Sequence, residues 1–406
     1  MKLKYLILSF FILSCGNKKE ERTKITIWHQ MRVDERVILQ SQIEKFMLTH
    51  PKIKVEQVYK ETEEMRSGFI IAAVAGQGAE IVYGPNDNIG VFSSVDIILP
   101  LDTLFDKKFI SQFNPKALTY YKNHLFQIAD KLGNHLALVY NKKLLKTPPK
   151  TTDELIEIGK KLTKDFNNDG KIDQYALVWN YTEPFFFILF YTGFGGWVMD
   201  DEFNPTLNNY SMVRALEFMR NLRDSAKIIP RESDYQIADA LFKDEKSAMI
   251  INGDWSWSSY VKAGIDIGVA PLPIVNETGL NCAPMISPKG YSVNKNISNE
   301  KLIIVKELLE FLLNEENQLE ATKLVSTIPT QKSLYSNPYF TNNEIMVNSQ
   351  KQIDLGRSMP IVPEMRAIWD AMRPHYQAVL NGAKSPKQSA NDMQIDSKIK
   401  IKEMLE

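Results

Sequence analysis

The strongest constraint on the fold is a repeated switch between two hydrophobic periods. Lys24-Ile25-Thr26-Ile27-Trp28 alternates as a strand does. Leu39, Ile43, Phe46 and Met47 then share one helical face, and Ile53 with Val55 returns to period two. A second helical stretch runs through Phe69 to Val74 and ends at Gly76-Gln77-Gly78. Glu80-Ile81-Val82-Tyr83-Gly84 follows as a buried strand that stops at Pro85-Asn86-Asp87. This alternation predicts a mostly parallel, doubly wound α/β sheet. Ligands of such sheets gather at the carboxyl ends of the strands. Asp87, just past one, is therefore a candidate polar contact, although an Asp that forms the turn has an equal structural reason to be there.

A second unit of the same kind follows. Leu136-Ala137-Leu138-Val139-Tyr140-Asn141 reads as a strand passing into a helix, and Thr151-Thr152-Asp153-Glu154 carries the cap and early acid of a helix start. Helix and strand signals continue to about Pro273. From Gly290 the chain returns to the first unit, with Leu302, Val305, Leu308, Leu309 and Leu312 on one apolar face, and from Arg357 onward it is mostly helical. The expected division is a leader at 1–14, a tether at 15–23, one lobe from 24–135 with 288–338, and another from 136–287 with 339–406. Lobes interleaved in this way would be joined by a hinge.

The 406 residues hold 49 Lys+Arg against 49 Asp+Glu. A balanced chain with no basic run argues against nucleic acid and against a polyanion held by bulk charge. Met1-Lys2-Leu3-Lys4 precedes an apolar run from Tyr5 to Leu13 that is too short to span a bilayer as a mature helix. Ile12-Leu13-Ser14-Cys15 looks like a bacterial lipobox, which would make Cys15 the lipidated first mature residue and place the protein outside the cytoplasm on a membrane. An ordinary secretory signal cut near Gly16 is the alternative. The one other cysteine is Cys282, so no intrachain disulfide is expected in the mature chain. The sequence has no His-Glu-x-x-His, Gly-x-Ser-x-Gly or Walker pattern. Asp165-Phe166-Asn167-Asn168-Asp169-Gly170 has the oxygen spacing of a calcium loop but Ala176 at the position of the closing Glu, leaving weak calcium binding and a metal-free Asx turn both open.

Three segments concentrate aromatic and acidic groups. Ala248-Met249-Ile250-Ile251 reads as a buried strand that breaks at Asn252-Gly253, with Asp254 as N-cap of a helix carrying Trp255 and Trp257. Tryptophans two residues apart point to different sides of a helical turn, so at least one leaves the core. A flat indole exposed at a cleft suits a sugar ring, whose C–H face is apolar and whose edge carries hydroxyls. In Asn180-Tyr181-Thr182-Glu183-Pro184-Phe185-Phe186-Phe187 the proline holds Glu183 extended and projects its carboxylate. Met359-Pro360-Ile361-Val362-Pro363-Glu364-Met365 leads into a helix whose Trp369 and Arg373, at i and i+4, share a face.

These segments resemble the maltose/maltodextrin-binding proteins of the extracellular solute-binding family 1 of ABC importers. The resemblance rests on Ile251-Asn252-Gly253-x-Trp255-x-Trp257, Glu183-Pro184-Phe185-Phe186, Met359-Pro360-x-x-Pro363-x-Met365, Tyr140-Asn141-Lys142 at a crossing between lobes, and Tyr235 ahead of the tryptophan segment. It implies a type II periplasmic binding fold with a hinge and an interlobe cleft. It further implies a monomer that binds an oligosaccharide, uses no cofactor or metal, and hands its ligand to an ABC permease. The implied ligand contacts are Asp87, Asn134, Glu183, Phe185, Tyr235, Trp255, Met359, Trp369 and Arg373. The chain departs from the pattern on the N-terminal side, where Gly84-Pro85-Asn86 replaces an aromatic, Asn88 replaces an Arg, His29-Gln30-Met31-Arg32 replaces Gly-Asp-Lys, and Asn134 stands for a Glu. Another glycan or glycerol 3-phosphate is thus an alternative ligand. A secreted glycosidase using Glu183 with Asp87 is the alternative activity, and a sensor or structural lipoprotein on the same fold is a third reading.

Overall fold

The computed structural model describes residues 22–325 and 327–405; Cys15, the leader and most of the expected tether lie outside them. The chain supplies β1 (Thr23–His29), β2 (Ile53–Tyr59), β3 (Ile81–Pro85), β4 (Leu118–Tyr121) and β5 (His124–Leu132) to a first sheet. It then builds a second sheet from β6 (Leu136–Asn141), β7 (Tyr175–Val178), β8 (Ser247–Gly253) and β9 (Ile267–Ala270). After β10 (Met285–Ile286), β11 (Lys289–Val293) and β12 (Ile328–Pro329) rejoin the first sheet, and β13 (Arg357–Ser358) pairs in parallel with β10.

The first sheet runs β12-β5-β11-β3-β1-β2, with β4 on β5, and the second runs β7-β8-β6-β9. Both are mixed, which corrects the expectation of mostly parallel sheets. β1 is parallel to β2 and β3, but β11 is antiparallel to β3 and β5, and β6 is antiparallel to β8 and β9. Two of the reversed strands, β6 and β11, enter their sheets from the opposite lobe. A chain that crosses at the hinge arrives at the cleft edge and can only run away from it.

Each sheet is buried on both faces, as helices on both sides require. In β6, Leu136, Leu138 and Tyr140 join one core, while Ala137 and Val139 join another that includes Trp257 and Tyr260. In the first sheet, Ile25, Ile27 and Tyr83 face Phe46 and Leu309, whereas Val82 faces Phe69 and Phe92. Thr151 caps the Thr152–Leu162 helix by accepting from the Glu154 amide, and Val305, Leu308, Leu309 and Leu312 of the Asn299–Leu312 helix are buried as their spacing predicts. Cys282 is buried and unpaired. None of the helices among the described residues is long and apolar enough to cross a membrane.

At the tryptophan segment the strand does not break at Asn-Gly, because β8 keeps its ladder to β6 through Asn252 and Gly253. The Asn252 side chain donates to the Tyr260 hydroxyl at 2.7 Å and accepts from the Gly253 amide at 2.9 Å, leaving no turn to form. Asp254 is therefore the first residue of the Asp254–Lys262 helix and not its cap. Its carboxylate reaches the hinge instead: the Asn134 amide donates to it at 3.1 Å. A Cβ on Gly133, whose φ is +157°, would lie 2.2 Å from Asp254 Oδ2, so only glycine admits this approach.

Candidate binding cleft

The carboxyl end of β8 and the helix that follows present Trp255 half-buried, while Trp257 is 2% exposed and packs edge-on against His135 with centroids 5.8 Å apart. One indole thus leaves the core and the other enters it. Trp255 Nε1 donates to the Tyr235 hydroxyl at 3.1 Å, which fixes the plane of the ring, and Phe185 lies tilted beside it at 6.5 Å. Tyr235 opens a helix capped by Asp234, and Phe185 follows Pro184 in a single tight turn. Trp369 is also half-buried and packs on the same core. Met359 sits inside that core at 6% exposure, its amide bonded to the Ile286 carbonyl.

Charged groups form a continuous ladder across the cleft. Glu183, held extended at φ −111° and ψ 123°, takes two bonds from Arg373, at 3.0 and 3.3 Å. Arg373 also meets Asp370 at 3.3 Å, and Asp370 meets Arg366 at 3.6 Å. Arg366 then crosses to the other lobe and pairs with Glu63 at 3.2 Å; Glu63 pairs with Arg66 at 3.3 Å, and Arg66 with Asp87 at 3.2 Å. Hydrogen bonding to Glu183 raises the Arg373 pKa above its ordinary value. Burial raises that of the Asp87 carboxyl against the pull of Arg66, and its Oδ1 is buried without a protein partner. Asp87 and Glu183 thus stand at opposite ends of one chain of ions, each with an arginine.

The chain matches the model of the bacterial extracellular solute-binding proteins over residues 33–319. It belongs to that family. The maltose/maltodextrin-binding domain MalE from Bdellovibrio bacteriovorus, bound to maltotriose, is a structural neighbour with a TM-score of 0.86 and 42% identity, covering 94% of this chain and 100% of the neighbour. A maltotriose-binding protein of Pyrococcus abyssi is 27% identical over 90% of this chain and 78% of its own length, and a galactooligosaccharide-binding protein of Bacillus subtilis 26% identical over 97% and 95%. The fold is the type II periplasmic binding fold of these relatives, and the relatives are binding proteins by name.

Within this family fold, the structure brings Phe185, Tyr235 and Trp255 into one aromatic group and Glu183 with Arg373 into one ion pair. Asn134 stands apart at the hinge with φ 48°, in a small cavity that also takes in Arg32, Glu35, Lys131, Asp254 and Trp255. Most of this charged floor is missing from the candidates drawn from the sequence. Glu35 pairs with Lys131 and Arg32, and these cations hold its carboxyl far below the usual range despite the opposing effect of burial. Arg32 also donates across the lobes to the Trp255 carbonyl. The neighbouring His29 is fully buried at the end of β1, and burial lowers its pKa to about 4. Only the i,i+3 spacing of Arg32 and Glu35 was visible in the chain. Away from the cleft, the Asp165–Asp173 loop turns its carboxylates onto its own amides, with Asp165 accepting from Asp169 and Gly170, as an Asx-rich turn does.

Proposed function

We propose that this chain is the solute-binding component of an ABC importer and that it captures a maltose- or maltodextrin-like oligosaccharide by cleft closure. The observation that carries this is the Trp255 ring, oriented by Tyr235, flanked by Phe185 and adjacent in the same lobe to the Glu183–Arg373 pair. The apolar face of a pyranose lies on the indole, and its hydroxyls donate to Glu183 and to the orphaned Oδ1 of Asp87. The lobes are 24–135 with 288–338 and 136–287 with 339–406. Closure is favoured because the sugar meets both lobes only when they are shut. Cys15 carries a lipid that holds the protein outside the cytoplasm, and a permease receives the ligand from the monomer without turnover.

A thermal-shift panel of maltose, maltotriose, trehalose, sucrose, cellobiose and glycerol 3-phosphate tests the ligand. A ligand at a hundredfold excess over its Kd stabilises the native state by about 2.7 kcal/mol, so stabilisation by a malto-oligosaccharide is expected. Stabilisation by glycerol 3-phosphate alone overturns the ligand class. Release of cleaved sugar in the same samples would move the protein to hydrolysis by Glu183 and Asp87. Replacing Cys15 with Ser should abolish partitioning into detergent, and partitioning that survives refutes the anchor.

A further inference from the structure

Lys289 lines the small hinge cavity with Asp254 and Trp255 and, among the described residues, makes no hydrogen bond and no ion pair. Its place is set by β11. That strand runs antiparallel to β3 with Lys289 opposite Pro85, so Lys289 stands at the carboxyl end of β3, on the edge that carries Asp87. Two bonds fasten this edge: the Asn86 amide donates to the Pro288 carbonyl at 3.1 Å, and the Ser287 hydroxyl donates to the Asn86 side chain at 2.7 Å. The register with β5 shifts between Lys289 and Gly290, and a bulge of this kind re-aims a side chain.

The surroundings offer that cation little. Lys289 lies directly across from Lys131 in β5, and like charges so placed destabilise a sheet. Glu35 is already engaged by Lys131 and Arg32. Burial lowers the Lys289 pKa, and Lys131 and Arg32 push it the same way against Glu35 and Asp254. An ammonium kept under these conditions is a set of donors for an acceptor that the chain does not supply. Across the cavity stands an acceptor-only group from the second lobe. Asp254 uses Oδ1 on the Asn134 amide at 3.1 Å, and its Oδ2 has no hydrogen bond among the described residues. The cavity, about 10 Å³, is the size of one water. A pyranose ring cannot enter it, but one hydroxyl can, and a hydroxyl both accepts and donates. Trp255 lines the same cavity, so a ring lying on the indole has an edge beside it.

We propose that Lys289 is a specificity-determining residue of the cleft: one hydroxyl of the sugar stacked on Trp255 enters the hinge cavity, where it accepts from the Lys289 ammonium and donates to Asp254. The proposal rests on the maltodextrin reading of the cleft. Titration calorimetry on the intact protein tests it, with maltotriose and the set of monodeoxy maltotrioses, each lacking one hydroxyl, as probes. Lys289→Met should weaken maltotriose binding at least tenfold. One deoxy analogue should bind the wild type at least tenfold more weakly than maltotriose, and on that analogue alone Lys289→Met should bind within twofold of the wild type. Asp254→Asn, which keeps an oxygen for the Asn134 amide but sets a donor against the hydroxyl, should lose affinity and single out the same analogue. Ligand-free Lys289→Met should melt at the wild-type temperature or above it, because the substitution removes a cation from beside Lys131 and Arg32. Maltotriose affinity within twofold of wild type, losses that multiply on every analogue, or a fall in ligand-free melting that accounts for the lost affinity would each overturn the role of Lys289 while leaving the cleft intact. A wild type that binds no maltotriose overturns the cleft reading and this inference with it.

Discussion

Adding one methyl group at Gly90 should separate closure from folding. Gly90 lies in the short Asn88–Ser94 helix of the first lobe, two residues after Asn88 and three after Asp87. A Cβ built there falls 1.7 Å from the Ile361 carbonyl oxygen and 3.3 Å from the Val362 Cα, on the segment leading into the Glu364–Leu380 helix of the second lobe. Both obstacles are backbone, held by the Met359 amide on Ile286 and the Met365 amide on Val362, so a rotamer change cannot relieve the clash. Overpacking of this kind costs about 1–3 kcal/mol, and here it falls on the arrangement in which the two lobes meet at this contact. In the open form the methyl faces solvent, and alanine in a helix is about 1 kcal/mol better than glycine. Gly90→Ala should therefore weaken ligand binding roughly 30-fold, for a closed-state penalty of about 2 kcal/mol, while the ligand-free protein melts at the same temperature or slightly higher. Calorimetric affinity and ligand-free melting measure the two sides independently. Unchanged affinity, or a ligand-free protein destabilised as much as binding is, would refute the assignment of this contact to closure.

Trp255→Ala should weaken sugar binding by about 2 kcal/mol, as aromatic hot spots do. Tyr235→Phe, which removes only the hydrogen bond orienting the ring, should cost about 1 kcal/mol; calorimetry that finds Trp255 dispensable would remove the stacking platform. Glu63→Gln breaks the interlobe step of the ladder. Its side chains are 64% and 52% exposed, so the loss should be about 0.5 kcal/mol in affinity and should vanish at high salt; a large, salt-independent loss would contradict this. His29 and His135 are buried with lowered pKa values, that of His29 about 4 against an ordinary 6.5. The unfolded chain takes up these protons first, so their contribution is intact above pH 6.5 and is lost as pH falls toward 4, by about 3 kcal/mol for His29. Denaturant melts across that window should show the loss, His29→Gln should flatten it, and a wild-type profile already flat there would be the contrary result.

What the sequence made legible was whatever depends on neighbours along the chain. The β-α-β opening, the Thr151 cap, the apolar face of the Asn299–Leu312 helix, and the division of Trp255 from Trp257 all follow from local periodicity or from i,i+2 geometry. Five of the ladder's six links are less uniform. Glu63–Arg66, Arg366–Asp370 and Asp370–Arg373 have helical spacing and could be read directly, whereas Asp87–Arg66 and Glu183–Arg373 needed the fold. The sixth, Glu63–Arg366, joins helices three hundred residues apart in different lobes, and no periodicity reports it. The same holds for strand polarity: the apolar pattern of β6 and β11 says that they are buried but not from which end they enter. The Asp254 miss was different in kind, since Asn-Gly favours a turn locally and lost to the β8–β6 ladder and the Asn252–Tyr260 bond.

The distribution of groups over the two lobes gives binding an order. Phe185, Tyr235, Trp255 and Trp369 all pack on the second lobe's core, whereas the first lobe contributes Asp87 and, at the hinge, Arg32. Stacking needs only one lobe, and it is where most of the desolvation energy of a sugar ring is available. A ligand can therefore settle on the open second lobe before the first arrives. Beyond the hinge, where Arg32 donates to the Trp255 carbonyl and Lys116 to the Ile353 carbonyl, several interlobe contacts are individually weak: an exposed Glu63–Arg366 pair, a 3.5 Å Ser258–Asp34 bond, and Ile361 against the Phe69–Phe92 cluster. Such contacts add little to the shut form, so on the proposed reading it is hydroxyls reaching Asp87 that shift the population toward it. On the proposed reading, the missing first-lobe aromatic at Gly84-Pro85-Asn86 then changes less than it would in a symmetric site, because the stacking platform lies in the lobe that carries Trp255 and Trp369.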